Sequence, residues 1–371
     1  MRVRLAELIA ALSLATDLGL GLPQEHALRQ TRIALGLCER LGLDTDDRAA
    51  VYHVALLAWV GCTADGHELS ATFGDDLALR AGSYGVDRAG RPMLGYLLRR
   101  VGEGQPPLRR AQMAAGLVAD RGRTVVEAMS THCVVASLFA RRLGLGPAVE
   151  EPLRHMFARA DGRGVPRGVG GEDVPLATRV VQVADVAEVF HRAGGVPPAV
   201  AVVRERSGGH LDPHVAAALV DCADELLGSL DETTSWDGVI AAEPGLVRAL
   251  AGDELEAALE AVADFGDLKS PWFTGHSRGV ARLAAGAGEA AGLTPEATTE
   301  LRRAGLVHDL GRAGVPNTIW DKPGPLTDAE RERVRLHPYY TERVLARPAA
   351  LARLAAIAAS HHERLDGSGY H

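Results

Sequence analysis

The chain has 371 residues, 47% of them hydrophobic but only 4% aromatic, and a formal net charge of −8. That length accommodates two ordinary domains, and a core built from Ala, Leu and Val is the composition of packed helices. Acids and bases are interspersed, which argues against nucleic-acid binding through a broad basic face. The four cysteines, Cys38, Cys62, Cys133 and Cys222, form no CxxC pair, so they read as small core residues of a reducing compartment. The first 18 residues are interrupted by Arg2, Arg4, Glu7 and Asp17, so no signal peptide or membrane span is expected there, and the expected location is cytoplasmic.

In chain order, a first helix is predicted over residues 2–18, stopping before Gly19, Gly21 and Pro23. His26 opens a second, to Arg40. Asp44 is a good N-cap for a third, with Asp47 at the capping-box position, running to Val60. Residues 62–112 have weak periodicity and many glycines. Helical pattern returns over 124–143 and 150–159, followed by a Gly-rich turn at 161–171. Further helices are expected over 176–190 and from Asp212-Pro213, an N-cap and N1 pair, to Leu227. Residues 230–245 look like a linker, and helices resume at Asp253.

The chain also repeats itself. At an offset of 250, Asp17-Leu18 falls on Asp267-Leu268, His26 on His276, Gly42-Leu43 on Gly292-Leu293, and Gly61 on Gly311. Asp44 falls on Thr294, which precedes Pro295, another N-cap and N1 pair. At an offset of 205, His132 falls on His337, and Asp161-Gly162-x-Gly164 on Asp366-Gly367-x-Gly369. Two copies of one helical domain are expected, the first with an insertion near residues 62–131. The expected layout is a degenerate domain over 1–229, a linker over 230–252, and a catalytic domain over 253–371. The first copy continues into Val183-Ala184-Asp185, whereas the second ends at His371, so the second is read as incomplete at its C-terminal end.

The second copy carries His276, His308-Asp309, His337 and His361-His362 on helical segments; the first has Ala58-Trp59 and Met156-Phe157 at two of these places. Imidazoles and a carboxylate suit Mn, Fe, Zn or Co ions, and helical bundles build such sites from inward-facing side chains. Asp309 has two oxygens with which to bridge two ions, which together provide a nucleophile at neutral pH and clamp a phosphoryl oxygen. Arg312, one turn beyond His308, is suited to hold a phosphate. By contrast, His53, His67, His155, His191, His210 and His214 read as surface or satisfied core residues. The Gly-rich turn at 162–171 lacks a Walker lysine and reads as an interhelical loop, and Arg99-Arg100, Arg109-Arg110 and Arg141-Arg142 as solvated faces.

These motifs resemble the HD-GYP family of the HD phosphohydrolase superfamily. The matching residues are His276-Ser277-x-x-Val280-Ala281, His308-Asp309-Leu310-Gly311, Val315-Pro316, Lys322-Pro323-Gly324-x-Leu326-Thr327-x-x-Glu330, His337-Pro338 and His361-His362-Glu363-Arg364-x-Asp366-Gly367-Ser368-Gly369-Tyr370. The resemblance implies an all-α fold of two tandem HD-like domains and hydrolysis of cyclic di-GMP or another nucleotide phosphoester. It implies His276, His308, Asp309, His337, His361 and His362 as metal ligands, with Asp309 bridging. It also implies an aspartate in a Val-Ala-Asp helix, which in the first copy is Asp185 and in the second would lie beyond His371. Arg312 stands where the family has lysine, Gly369-Tyr370-His371 where it has Gly-Tyr-Pro, and Trp272 where trinuclear members carry a glutamate. Two divalent ions, Fe or Mn, are therefore expected rather than three, with Asp309 and Arg312 as the catalytic pair. The rival reading is a non-enzymatic signalling module that binds a nucleotide or partner and controls an output domain outside this chain, such as a helix-turn-helix DNA-binding domain. A homodimer is left open.

Overall fold

Asp44 and Thr294 do at equivalent places what their side chains suit them for: each accepts a hydrogen bond from a backbone N–H three residues on and starts a helix. The computed structural model describes residues 1–87, 90–231 and 235–370. A two-residue strand β1 (Val3–Arg4) leads into α1 (Leu5–Leu20), α2 (His26–Arg40) and α3 (Thr45–Leu57), then a 3-10 turn at Val60–Thr63. Next come α4 (Gly66–Phe73), α5 (Asp76–Ser83), α6 (Gly90–Arg100), α7 (Pro107–Ala119), α8 (Arg123–Arg142) and α9 (Pro147–Leu153). The N-terminal half closes with α10 (Leu176–Gly194), α11 (Val196–Arg206), α12 (Pro213–Asp221) and α13 (Ala223–Gly228); α14 (Ser235–Ala241) follows. The C-terminal half begins with β2 (Ala249–Leu250), α15 (Gly252–Asp267), α16 (His276–Ala290) and α17 (Pro295–Val307), then a 3-10 turn at Leu310–Gly314. It ends with α18 (Asn317–Trp320), α19 (Asp328–Arg335), α20 (His337–Leu345) and α21 (Ala352–Ala359). The fold is all-α apart from the β1–β2 ribbon, and none of the described helices is long and apolar enough to cross a membrane.

The run strand, three helices and 3-10 turn thus occurs twice, and the two runs meet. β1 pairs antiparallel with β2, Val3 opposite Leu250. α1 is buried on nearly every side, as expected of a helix apolar all round. Its C-terminal end lies behind the turn of the C-terminal half, where a Cβ on Gly314 would sit 3.4 Å from that of Leu18. α15 leans the opposite way, onto α8, through Phe139–Phe265 at 6.4 Å and Arg142–Asp264 at 2.7 Å.

Two stretches are more structured than their sequence suggests. Residues 62–112, weak in periodicity, contain α4, α5, α6 and the start of α7. Phe73, Leu79, Met93, Tyr96, Leu97 and Val101 form a small separate core there, joined by Leu117 from further along α7. Short helices broken by glycines bury too few positions each for a 3.6-residue period to show. The expected linker holds α14, whose Trp236 and Val239 are buried, with the Val239 carbonyl accepting from the Tyr52 hydroxyl at 3.2 Å. Residues 232–234 of that stretch, and His371, lie outside the described residues.

The insertion is locked to the C-terminal half by buried charge. Lys269 Nζ and Arg80 Nη1 lie 3.1 and 2.9 Å from Asp76 Oδ2, and Arg80 Nη2 lies 2.5 Å from Asp65. The Asn317 backbone N–H donates to Asp76 Oδ1 at 2.8 Å, and its side chain donates to the Lys269 carbonyl at 2.6 Å. Burial lowers the Lys269 pKa, and the Asp76 charge opposes that shift.

Candidate metal centre

Each segment that carries a candidate ligand is held by a local device. Asp267, at the end of α15, accepts from both the backbone N–H and the hydroxyl of Ser277, fixing the start of α16 and with it His276. α17 ends at the His308-Asp309 turn. Thr341 of α20 donates to the His308 carbonyl and accepts from the Gly311 N–H, both at 2.9 Å. Thr327 and Glu330 form a capping box at the start of α19, and Lys322 pairs with Glu330 at 2.6 Å. That box sets the approach to His337. Gly311 is required by close approach: a Cβ there would collide with the His337 carbonyl oxygen. Gly61 faces the His132 carbonyl oxygen in the same way, so this repeat match preserves a backbone contact.

All six sequence-predicted ligands converge. His276, His308 and Asp309 form one group and His337, His361 and His362 another, each with its candidate donor atoms within 4.8 Å of one another. The buried Asp309 carboxylate joins the groups. Oδ2 lies 3.2 Å from His276 Nε2 and 2.7 Å from His308 Nε2; Oδ1 lies 3.4 Å from His337 Nε2 and 3.6 Å from His361 Nε2. Arg312 Nη2 lies 2.7 Å from Oδ2.

The tautomers follow from the second nitrogens. His308, His337 and His361 each place Nδ1 at 2.9, 2.6 and 2.7 Å from the carbonyl oxygen three residues earlier. A carbonyl only accepts, so Nδ1 carries the proton and the lone pair of the neutral ring is on Nε2. Those lone pairs point into the cluster. His337 Nε2 and His361 Nε2 face each other at 3.1 Å, two acceptors that a cation would reconcile. Asp309 Oδ1 and Oδ2 and His276 Nε2 are buried and, despite nitrogens and oxygens close by, make no hydrogen bond of good geometry among the described residues. The donor set therefore fits a metal, and backbone-anchored imidazoles are how proteins orient one.

Electrostatics favour the same state. Burial pushes the His337 and His361 pKa values down to about 4, so both rings are neutral at neutral pH, as metal binding requires. Burial opposes ionisation of Asp309, but its His276, His308 and Arg312 neighbours outweigh it and hold the carboxyl well below the usual range. The Arg312 guanidinium lies 4.0 Å from the Phe273 ring centroid and 5.2 Å from that of Trp320. Its Nε and Nη1 have no partner among the described residues. Tyr370 stacks on His362 at 4.7 Å, while Trp272 is exposed. Sequence reasoning gave no role to Asp267, Phe273, Trp320 or Thr341. Only Asp267 left a trace, through its repeat match with Asp17, whose Oδ1 likewise accepts from the Ala27 N–H at the start of α2.

The same positions in the N-terminal half are wired differently. His26, equivalent to His276, lies 3.0 Å from Asp185 Oδ1 through Nε2 and 2.5 Å from Glu188 Oε2 through Nδ1. The Trp59 indole, at the place of Asp309, donates to Asp185 Oδ1 at 3.1 Å, and the Tyr84 hydroxyl donates to the same oxygen at 3.2 Å. Burial alone would lower the His26 pKa, but hydrogen bonds to and charges on Asp185 and Glu188 raise it to about 10. A protonated imidazole balances the carboxylates here.

A helical fold with a buried histidine–aspartate cluster of this kind fits the HD superfamily of metal-dependent phosphohydrolases. The HD domain family matches residues 260–371. The 3′3′-cGAMP-specific phosphodiesterase 3 of Vibrio cholerae is 29% identical over 99% of this chain and 80% of its own length. The crystal structure of a cyclic GMP-AMP specific phosphodiesterase from V. cholerae superposes with a TM-score of 0.72. It has 25% identity and covers 97% of this chain and 87% of that one. A cyclic di-GMP phosphodiesterase of Thermotoga maritima is 39% identical over 26% of each chain. Residues 260–371 carry an HD domain, and nearly the whole chain is similar to a cyclic-dinucleotide phosphodiesterase of that superfamily.

Proposed function

We propose that the C-terminal half hydrolyses a cyclic dinucleotide, using two divalent ions, iron or manganese, held by His276, His308, Asp309, His337, His361 and His362. The observation that carries this reading is the division of the buried Asp309 carboxylate: one oxygen faces His276 and His308, the other His337 and His361. Ions at such a site supply Lewis-acid stabilisation of phosphoryl charge and a nucleophile at neutral pH. The chain's own residues do the positioning. Backbone carbonyls fix three imidazoles in the tautomer that presents Nε2. Arg312 neutralises one Asp309 oxygen, and its unpartnered Nε and Nη1 are donors for a phosphoryl oxygen. Trp272, exposed at the place where a third ion's glutamate would stand, supports two ions rather than three.

We read residues 1–229 as a degenerate copy that stabilises the other, with residues 230–252 connecting it to the catalytic domain at 253–371. α1 backing the 310–314 turn supports this. The substrate class follows the printed activities of the relatives. The test is metal analysis of purified protein, with hydrolysis of 3′3′-cGAMP, cyclic di-GMP and bis-p-nitrophenyl phosphate. About two ions per chain and dinucleotide turnover are expected. Near-zero bound metal with no hydrolysis would leave only a nucleotide-binding signalling module.

A further inference from the structure

The N-terminal half has a cleft of its own, about 840 Å³, within the range of small-ligand sites. Its walls are α6, the α7–α8 turn, the start of α8 and the loop after α9. By the repeat correspondence, Phe157 takes the place of His362 and Gly164 that of Gly369. The cleft is therefore the counterpart of the face that the histidine cluster presents in the C-terminal half.

Two features give the cleft a chemical character. Its floor is apolar: Met93, Leu97, Val125, Met129 and Phe157 line it and also line an inner cavity of about 110 Å³. Its rim is cationic, with Arg91, Arg121, Arg163 and Arg167 in a chain of net charge −8. A fifth arginine, Arg159, is paired with both acids of the lining, at 2.6 Å from Asp87 and 3.1 Å from Asp161, so five arginines face two acids around the cleft. Arg91, Arg121 and Arg167 are exposed. Arg121 also holds a backbone φ of 55°, a conformation that costs a non-glycine residue on the order of 1 kcal/mol and clusters at ligand sites. An apolar floor under a planar-guanidinium rim suits a ligand with flat rings and phosphate charge.

We propose that this cleft binds a phosphate-bearing nucleotide of the substrate's class without hydrolysing it, its phosphates met by arginines instead of metal ions. The choice of ligand rests on the substrate reading above. The N-terminal half cannot turn such a ligand over in the same way, because Trp59, Met156 and Phe157 replace the groups that would hold ions there.

The experiment is calorimetric titration of the metal-stripped full chain with 3′3′-cGAMP, cyclic di-GMP and their linear products. It is run beside Arg121→Glu/Arg167→Glu and beside His361→Ala/His362→Ala. Arg121→Gly is included because glycine accepts the φ of 55°, so loss of affinity in that variant is not loss of fold. A binding event weakened about ten-fold or more by the arginine variants, and kept in the histidine variant, is expected. Hydrolysis at saturating substrate by the metal-loaded arginine variants stays within about two-fold of wild type. Binding that disappears only in the histidine variant would overturn the inference and leave the substrate reading intact. Arginine-dependent binding by a chain that hydrolyses no dinucleotide would do the reverse. A wild-type chain that neither binds nor hydrolyses dinucleotides would overturn both.

Discussion

Replacing His26 by Gln removes the one cation that faces both Asp185 and Glu188 in the N-terminal half, and the size of the effect can be worked from the contacts. His26 is fully buried, 3.0 Å from Asp185 and 2.5 Å from Glu188. Glu188 keeps Arg29 and Arg192 as partners after the change, while Asp185 keeps the neutral donors Trp59 and Tyr84. Breaking a buried pair by removing one partner costs about 3–5 kcal/mol. Proton linkage gives a similar figure. The His26 pKa rises from 6.5 to about 10 on folding, so its contribution is complete below pH 6.5 and is lost as pH rises through 10. One proton over that window amounts to about 5 kcal/mol. The assay is urea denaturation of the metal-stripped full chain followed by circular dichroism, from pH 6.5 to 9.5. H26Q should be less stable by about 3–5 kcal/mol at pH 6.5, and the gap should narrow as pH rises. The difference between the two profiles, rather than either alone, reports this proton. Equal stabilities, or profiles that run parallel across the window, would refute the reasoning.

Asp309→Asn removes the charge that faces both histidine groups, and metal analysis should find less than one ion per chain, with activity down by about 100-fold or more. Gly311→Ala and Gly61→Ala each drive a methyl into a carbonyl oxygen, and each should cost about 1–3 kcal/mol in chemical denaturation. Only Gly311→Ala should also lower metal content per folded chain, since it displaces His337. Thr341→Val deletes the hydroxyl that joins the His308 carbonyl to the Gly311 N–H; a loss of about 1–3 kcal/mol is expected, with metal affinity reduced. Lys269→Met leaves Asp76 with Arg80 as its only charged partner among the described residues. It should loosen the insertion from the C-terminal half, read as faster hydrogen exchange in α4, α5 and α18.

The candidate site was legible because its chemistry is carried by rare residue types in fixed motifs, and the repeat separated them from other histidines. His26, identical in type to His276, shows the limit of that argument. The residue alone does not reveal whether carboxylates or ion-ready nitrogens surround it. The positions at 58–59 and 156–157 do. Helix starts were readable at Asp44, Thr294 and Asp212, where the cap chemistry is local. The insertion was not, because its order comes from contacts such as Lys269 with Asp76, which span 193 positions. Phe273 and Trp320 were equally hidden: an aromatic beside a cluster looks in sequence like any other apolar residue.

The buried proton on His26 also bears on how the molecule meets scarcity. The two halves draw their central positive charge from different supplies, one from water and the other, on the proposed reading, from divalent metal ions. On the proposed two-ion reading, loss of the divalent ions would disarm the C-terminal half. The N-terminal half would remain assembled, with β1 clasping β2 and α1 still behind the empty turn. The chain would then wait as an intact apoprotein, ready to be recharged when the ions return.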